Sequence, residues 1–214
     1  LVCDADKRPL RRAMHWTDTR SRAESRELLE GYGEVIFEKT YHKPDTIWTL
    51  PQLLWLRRHE GALFERIRYV FFEKDYIRYF LTGVFCTDDI EAEGSMLFDC
   101  TRRCWDEELC ALCGIDPSCL PPLRRPTDVI GAVTAEAAAA TGLAVGTPVV
   151  AGGLDAACAT LGAGMIEAGQ TQEQGGQAIY MRLMTTMAAG YASALGIKEM
   201  QQSDHSAVKS LQAI

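Results

Sequence analysis

The stretch Thr147-Pro148-Val149-Val150-Ala151-Gly152-Gly153-Leu154-Asp155-Ala156-Ala157-Cys158-Ala159-Thr160-Leu161-Gly162-Ala163-Gly164 limits what this chain can fold into more than any other. It predicts a short strand, a glycine turn and a helix that opens on a carboxylate. Val149 and Val150 suit a strand covered on both faces. Gly152 and Gly153 permit a sharp turn and the close approach of a ligand to the backbone. Leu154, Ala157, Cys158 and Leu161 recur at helical spacing, which predicts one apolar face. Asp155 then falls in the first helical turn, where a carboxylate can receive a proton from a bound hydroxyl. The spacing allows a second role, because Asp in a first turn also complements the helix dipole.

Upstream, strand and helix signals alternate, which implies α/β architecture. Residues 1–12 suggest a hairpin turning at Ala5-Asp6-Lys7. Residues 21–31 predict a helix that Ser21 can cap, with Glu24 three residues on and Gly31 as its end. Residues 34–46 lack periodicity. A helix is expected over 48–58, a short second one over 60–66, and a buried strand over Tyr69-Val70-Phe71-Phe72. Lys74 to Leu81 is expected to be helical up to Gly83, and residues 105–113 up to Gly114. Prolines at 117, 121, 122 and 126 mark an extended connector, and Thr134 to Thr141 an alanine-rich helix closed by Gly142.

With 47% hydrophobic and 24% charged residues the 214-residue chain has an ordinary globular composition, and its formal charge of −7 argues against a general nucleic-acid binder. No apolar run reaches the length of a membrane span and no leader layout opens the chain, so a cytoplasmic location is expected. Five of the eight cysteines, Cys100, Cys104, Cys110, Cys113 and Cys119, lie close together. Cys110 and Cys113 have the spacing of half a zinc site, but Trp105, Leu109, Cys110, Leu112 and Cys113 also read as one helix burying small apolar groups. No second Cys-x-x-Cys follows, and no residue is assigned to a metal.

The opening stretch, followed by Gln170-Thr171-Gln172-Glu173-Gln174-Gly175-Gly176-Gln177-Ala178, resembles the FGGY carbohydrate kinases, whose Gly-Gly-x-Asp-Ala-x-x-Ala-x-x-Gly pattern is met from Gly152 to Gly162. Other segments follow in the family's order. Trp16-Thr17-Asp18-Thr19-Arg20 is similar to its Trp-x-Asp-x-Arg motif, and Pro51-Gln52-Leu53-Leu54-Trp55 to its Pro-Lys-Leu-Leu-Trp helix. Asp75-Tyr76-Ile77-Arg78-Tyr79-Phe80-Leu81-Thr82-Gly83, Leu97-Phe98-Asp99 and Gly114-Ile115-Asp116 continue the match.

The resemblance implies an α/β, actin-like ATPase or ribonuclease-H-like fold, incomplete here, and ATP-dependent phosphorylation of a pentulose or other ketose. It implies Asp155 as general base and sugar contact, Trp16 and Asp18 at the sugar, and ATP with Mg²⁺ as cofactors. Trp16 would pack on the sugar's carbon face. Alternatively, Trp16 is core and Asp18 pairs with Arg20 or Arg22. Gly175, Gly176 and Gln177 would meet the transferred phosphate through backbone N–H groups, on a two-residue Gly-Gly hairpin. Here they depart from the family's usual Gly-Thr-Ser-Gly. Ala156 stands where some relatives carry Gln or Asn, which favours a ketose over glycerol. The expected partners are sugar and ATP, with no nucleic acid or membrane and a possible homo-oligomer. Residues 1–150 are expected to form the sugar-binding domain without its first strands, 151–184 the start of the nucleotide-binding domain, and 185–214 a tail of uncertain origin. Two alternatives stand beside this reading: a catalytically incompetent fragment or pseudo-kinase that binds sugar or a partner, and a zinc module at Cys100–Cys119.

Overall fold

The structure, a computed structural model, describes residues 1–164, 171–174 and 180–183, and the chain divides into two units, Leu1–Leu154 and Asp155–Ile214. Strand β1 (Val2–Cys3) leads into the expected turn. There the Asp4 carboxylate accepts from the amides of Asp6 and Arg8, both at 3.0 Å, and Lys7 takes a φ of 59°. Helix α1 (Arg22–Thr40) does not stop at Gly31. It runs on through Gly33 and closes at Tyr41, φ 58°. Its last turns bury Ile36 and Thr40, and the Thr40 hydroxyl donates to the Ile36 carbonyl at 2.8 Å. That burial outweighs the cost of about 1 kcal/mol for each interior glycine. Nor does Ser21 cap the helix: its backbone, φ −82° and ψ 21°, is not extended, and its buried hydroxyl finds no partner.

Helix α2 (Thr49–His59) and the short α3 (Gly61–Phe64) follow as expected. Strand β2 (Tyr69–Val70) pairs antiparallel with β1, and Val70, Phe71 and Phe72 are buried. Helix α4 (Glu73–Thr82) closes at Gly83, φ 75°. Strand β3 (Thr87–Asp88) is followed by α5 (Asp89–Glu93), whose Ile90 and Glu91 amides donate to Asp88 Oδ1 at 3.1 and 2.9 Å. The turn after α5 sets fully buried Met96 at φ 61°. Strands β4 (Phe98–Asp99) and β5 (Cys104–Trp105) pair antiparallel. Helix α6 (Glu107–Cys113) is capped by Asp106, which accepts from Leu109 N at 2.9 Å, and stops at Gly114, φ 78°. Strand β6 (Leu123–Arg124) lies parallel to β3. Strand β7 (Val129–Ala132) is followed by α7 (Ala135–Thr141), capped by Thr134 and ended by Gly142. Strand β8 (Pro148–Val150) pairs antiparallel with β7. Val150 is 49% exposed, so this strand is not covered on both faces. Its one strand neighbour among the described residues, β7, lies in its own sheet and screens an edge rather than a face.

The main core gathers on α2. Leu50, Leu53, Leu54 and Leu56 meet Leu28 and Ile36 of α1, Leu109, Cys110 and Cys113 of α6, and Val2 and Val70 of the β1–β2 pair. Cys110 and Cys113 therefore sit on a helix as small apolar groups. Burial pushes both thiols up to about 12, as it does Cys100, and Cys3 to about 11. No helix among the described residues is long and apolar enough to cross a membrane.

In the second unit, α8 (Asp155–Gly162) precedes β9 (Thr171–Gln174) and β10 (Tyr180–Leu183), an antiparallel pair. The buried positions of α8 are Ala156 and Thr160; Cys158 and Leu161 are exposed. The expected face does not form: the buried pair, Ala156 and Thr160, lies one turn apart on a different side from Cys158 and Leu161. The tail 185–214 lies outside the described residues.

Cys158 is exposed and Cys104 half-buried, while the other six thiols are buried. Counting with an aqueous aryl disulfide at about pH 8, below the raised thiol values, should therefore find at most two fast cysteines of the eight. The rest should react only with denaturant. Fast reaction at Cys110 or Cys113 would contradict their place in the core.

Candidate functional site

The strand-turn-helix forms as the sequence predicts. Strand β8 ends at Val150, Gly152 turns the backbone at φ 76°, and Asp155 opens α8. A side chain at Gly152 would be strained at that angle. Two amides tie the strand end down: Ala151 N–H donates to the Asp128 carbonyl and Gly152 N–H to the Pro126 carbonyl, each at 2.9 Å. Asp155 is exposed, and its Oδ1 accepts from the Ala156 amide at 2.6 Å. Asp155 belongs to the second unit.

Trp16 and Asp18 share one turn of the first unit. Trp16 is 44% exposed, so it is not a core residue; its ring lies 5.6 Å from His15, tilted by 40°. An exposed indole keeps a face for stacking. Asp18 is already engaged. Arg20 Nε donates to its two oxygens at 2.9 and 2.8 Å, and the Arg20 amide donates to Oδ1 at 3.0 Å. These hydrogen bonds hold the Asp18 carboxyl below the usual carboxylate range. The Arg20 guanidinium in turn lies 5.0 Å from the Trp55 ring centroid, which fastens the turn to α2.

Gln52 is a residue the sequence pattern did not single out. Nine-tenths buried on α2, its Nε2 donates to the Thr46 carbonyl at 3.1 Å and to the His15 carbonyl at 3.4 Å. It thereby holds the backbone just before Trp16. Its position inside the Pro-x-Leu-Leu-Trp segment was the one available signal. A cavity of about 30 Å³ beside Gln52, Met14 and Arg11 has room for little more than a water. A wider, open one of about 290 Å³ lies among Asp89, Arg103, Arg124, Arg125 and Asp128. Trp16 and Asp18 line neither.

Gly175, Gly176 and Gln177 lie outside the described residues. The strands around them pair Gln174 with Tyr180.

Residues 1–162 match the FGGY family of carbohydrate kinases, N-terminal domain. The chain is 36% identical over 171 residues to the xylulose kinase of Bacillus subtilis, covering 80% of this chain and 34% of that protein. It is 37% identical over 169 residues to the xylulose kinase of Escherichia coli, covering 79% and 34%. The crystal structure of xylulose kinase from Rhodospirillum rubrum superposes with a TM-score of 0.79 at 34% identity, over 84% of this chain and 37% of that one. The fold is thus that of the FGGY sugar kinases, actin-like and α/β. The chain spans about a third of the length of the curated relatives it matches.

The Asp18–Arg20 pair has a signature in pH. A carboxyl held below its unfolded value contributes stability above that value and loses it as pH falls through the folded one. Carboxyl NMR should place the Asp18 midpoint below that of an ordinary aspartate, and Arg20→Met should raise it. An unchanged midpoint in the variant would show that Arg20 is not the cause.

Proposed function

The chain belongs to the FGGY family of carbohydrate kinases, and on that premise we propose that it carries the sugar-binding side of an ATP-dependent kinase acting on a pentulose or similar ketose, with Asp155 as general base. The observation that carries the proposal is an exposed carboxylate opening α8 one residue after the Gly152-Gly153 pair. Relatives named xylulose kinase support the substrate class. On this reading residues 1–150 form the sugar-binding domain and 151–184 begin the nucleotide-binding part. All eight cysteines are free thiols, which suits a reducing cytoplasm.

Phosphoryl transfer asks a protein mainly for positioning and charge stabilisation. ATP supplies the transferred group. Asp155 accepts the proton that the sugar hydroxyl loses as its oxygen becomes a phosphate ester. Its position in a first helical turn leaves the acceptor oxygen at the end of a rigid element. Trp16 offers the sugar a carbon face, and Gln52 and Arg20 hold the turn that presents it. Gly175, Gly176 and Gln177 are proposed to donate backbone N–H groups to the phosphate. Among the described residues no three His, Cys, Asp or Glu side chains gather to hold a metal. Mg²⁺ accompanying ATP would be held chiefly by phosphate oxygens with one or two carboxylates, so it needs no such cluster.

In the kinase that contains this chain, Asp155→Asn keeps the shape and removes the proton acceptor. Turnover of a ketose panel, read as ADP release, should fall by about two decades or more with the thermal transition unchanged. Near-normal turnover would overturn the assignment. Trp16→Ala should raise the sugar KM by about tenfold while kcat changes less, and Trp16→Phe should restore most of the binding. An equal KM in wild type and Trp16→Ala would remove the indole from the sugar site.

A further inference from the structure

Four charged side chains meet inside the first unit, three of them buried and Lys74 partly exposed. Asp75 and Asp88 are fully buried and Arg78 is 5% exposed. Lys74 Nζ lies 2.7 Å from Asp75 Oδ1 and 2.5 Å from Asp88 Oδ2. Arg78 Nη2 lies 3.0 Å from Asp75 Oδ1 and donates to the Cys86 carbonyl at 2.5 Å. Of the other two guanidinium nitrogens, Nη1 donates to the carbonyl of Ala151, and Nε has no hydrogen-bond partner among the described residues. Arg78 thus joins α4 to two distant segments, one of them the last residue before Gly152. Ala151 is itself 3% exposed, so no water competes for its carbonyl.

We propose that Arg78 is a positioning residue for the reaction: its guanidinium clamps the Ala151 carbonyl and so fixes the start of the Gly152–Gly153 turn that leads into Asp155. The inference rests on the reading of Asp155 as general base. Gly152 and Gly153 are the most permissive residues in the segment, and a permissive turn transmits position only if its entry is held. The amides of Ala151 and Gly152 anchor it on one side, to Asp128 and Pro126. Arg78 anchors the opposite, carbonyl side. A guanidinium suits this place because its planar fork reaches the Ala151 carbonyl, the Cys86 carbonyl and Asp75 together. A lysine ammonium keeps the charge beside Asp75 but cannot span both carbonyls.

The test is native-state hydrogen exchange on Arg78→Met and Arg78→Lys. The Ala151 and Gly152 amides should exchange faster by about tenfold or more, while the Leu53 and Leu56 amides of α2 keep their protection. Arg78→Lys should show the same local effect with a smaller loss of thermal stability, and it decides the matter if Arg78→Met does not fold. In the active kinase Arg78→Lys should lower kcat by about tenfold with little change in sugar KM. Unchanged exchange at Ala151 and Gly152, or equal acceleration throughout α2, would overturn the clamp. Selective acceleration together with full turnover in Asp155→Asn would keep the clamp and reject Asp155 as base.

Discussion

Helix α2 is the element on which the first unit depends. Leu50, Leu53, Leu54 and Leu56 are each 5% exposed or less. They do not follow a single stripe, and they need not, because α1, α6 and the β1–β2 pair cover the helix from different sides. Burying one such leucine contributes about 1.5–3 kcal/mol. Pro51 is tolerated because it falls in the first turn, where its missing N–H has no helical acceptor to lose. Arg57, Arg58 and His59 gather at the other end, where cations complement the helix dipole. The same helix sets the site turn: Gln52 and Trp55, one turn apart, hold the segment that carries Trp16 and Asp18.

Charge is handled differently at the surface and inside. Arg58 pairs with Glu27 at 2.7 Å in solvent, an arrangement of small value. In the Lys74–Asp75–Arg78–Asp88 group two cations face two carboxylates, with Glu91 3.8 Å from Lys74 at its edge, and Asp75, Asp88 and Arg78 are buried. Burial still dominates at Asp75, lifting its carboxyl above the usual range despite Lys74 and Arg78. Taking one partner from such a group costs about 3–5 kcal/mol, because the survivor stays buried without compensation. The group is therefore a poor source of net stability and a strong source of fixed geometry.

Local chemistry was legible in the sequence wherever a few adjacent residues decide the outcome. Helices α4, α6 and α7 end at Gly83, Gly114 and Gly142 because each adopts a left-handed backbone that glycine accepts freely. The turn before Asp155 follows the same logic, and so does Asp18 binding an arginine two residues on. Features set by distant contacts were not legible. Gln52 holds a carbonyl 37 residues away and Arg78 one 73 residues away, and no spacing rule spans such gaps. Helix α1 outran Gly31 because its reward, the burial of Ile36 and Thr40, comes from other elements. The Ser21 cap failed for a related reason: the pattern Ser-x-x-Glu names candidates but not the backbone angles they take.

Met96 combines two demands that pull in opposite directions. Its φ of 61° favours glycine, whereas its full burial against the core of α2 calls for a long apolar side chain. Glycine there would relax the backbone and open a void; a β-branched residue would fill space but resist the angle. Thioether chains are unbranched and adaptable, which is the compromise this corner requires. Few side chains meet both demands, so a substitution here costs stability unless a change among the leucines of α2 refills the space, and the two sites are energetically coupled.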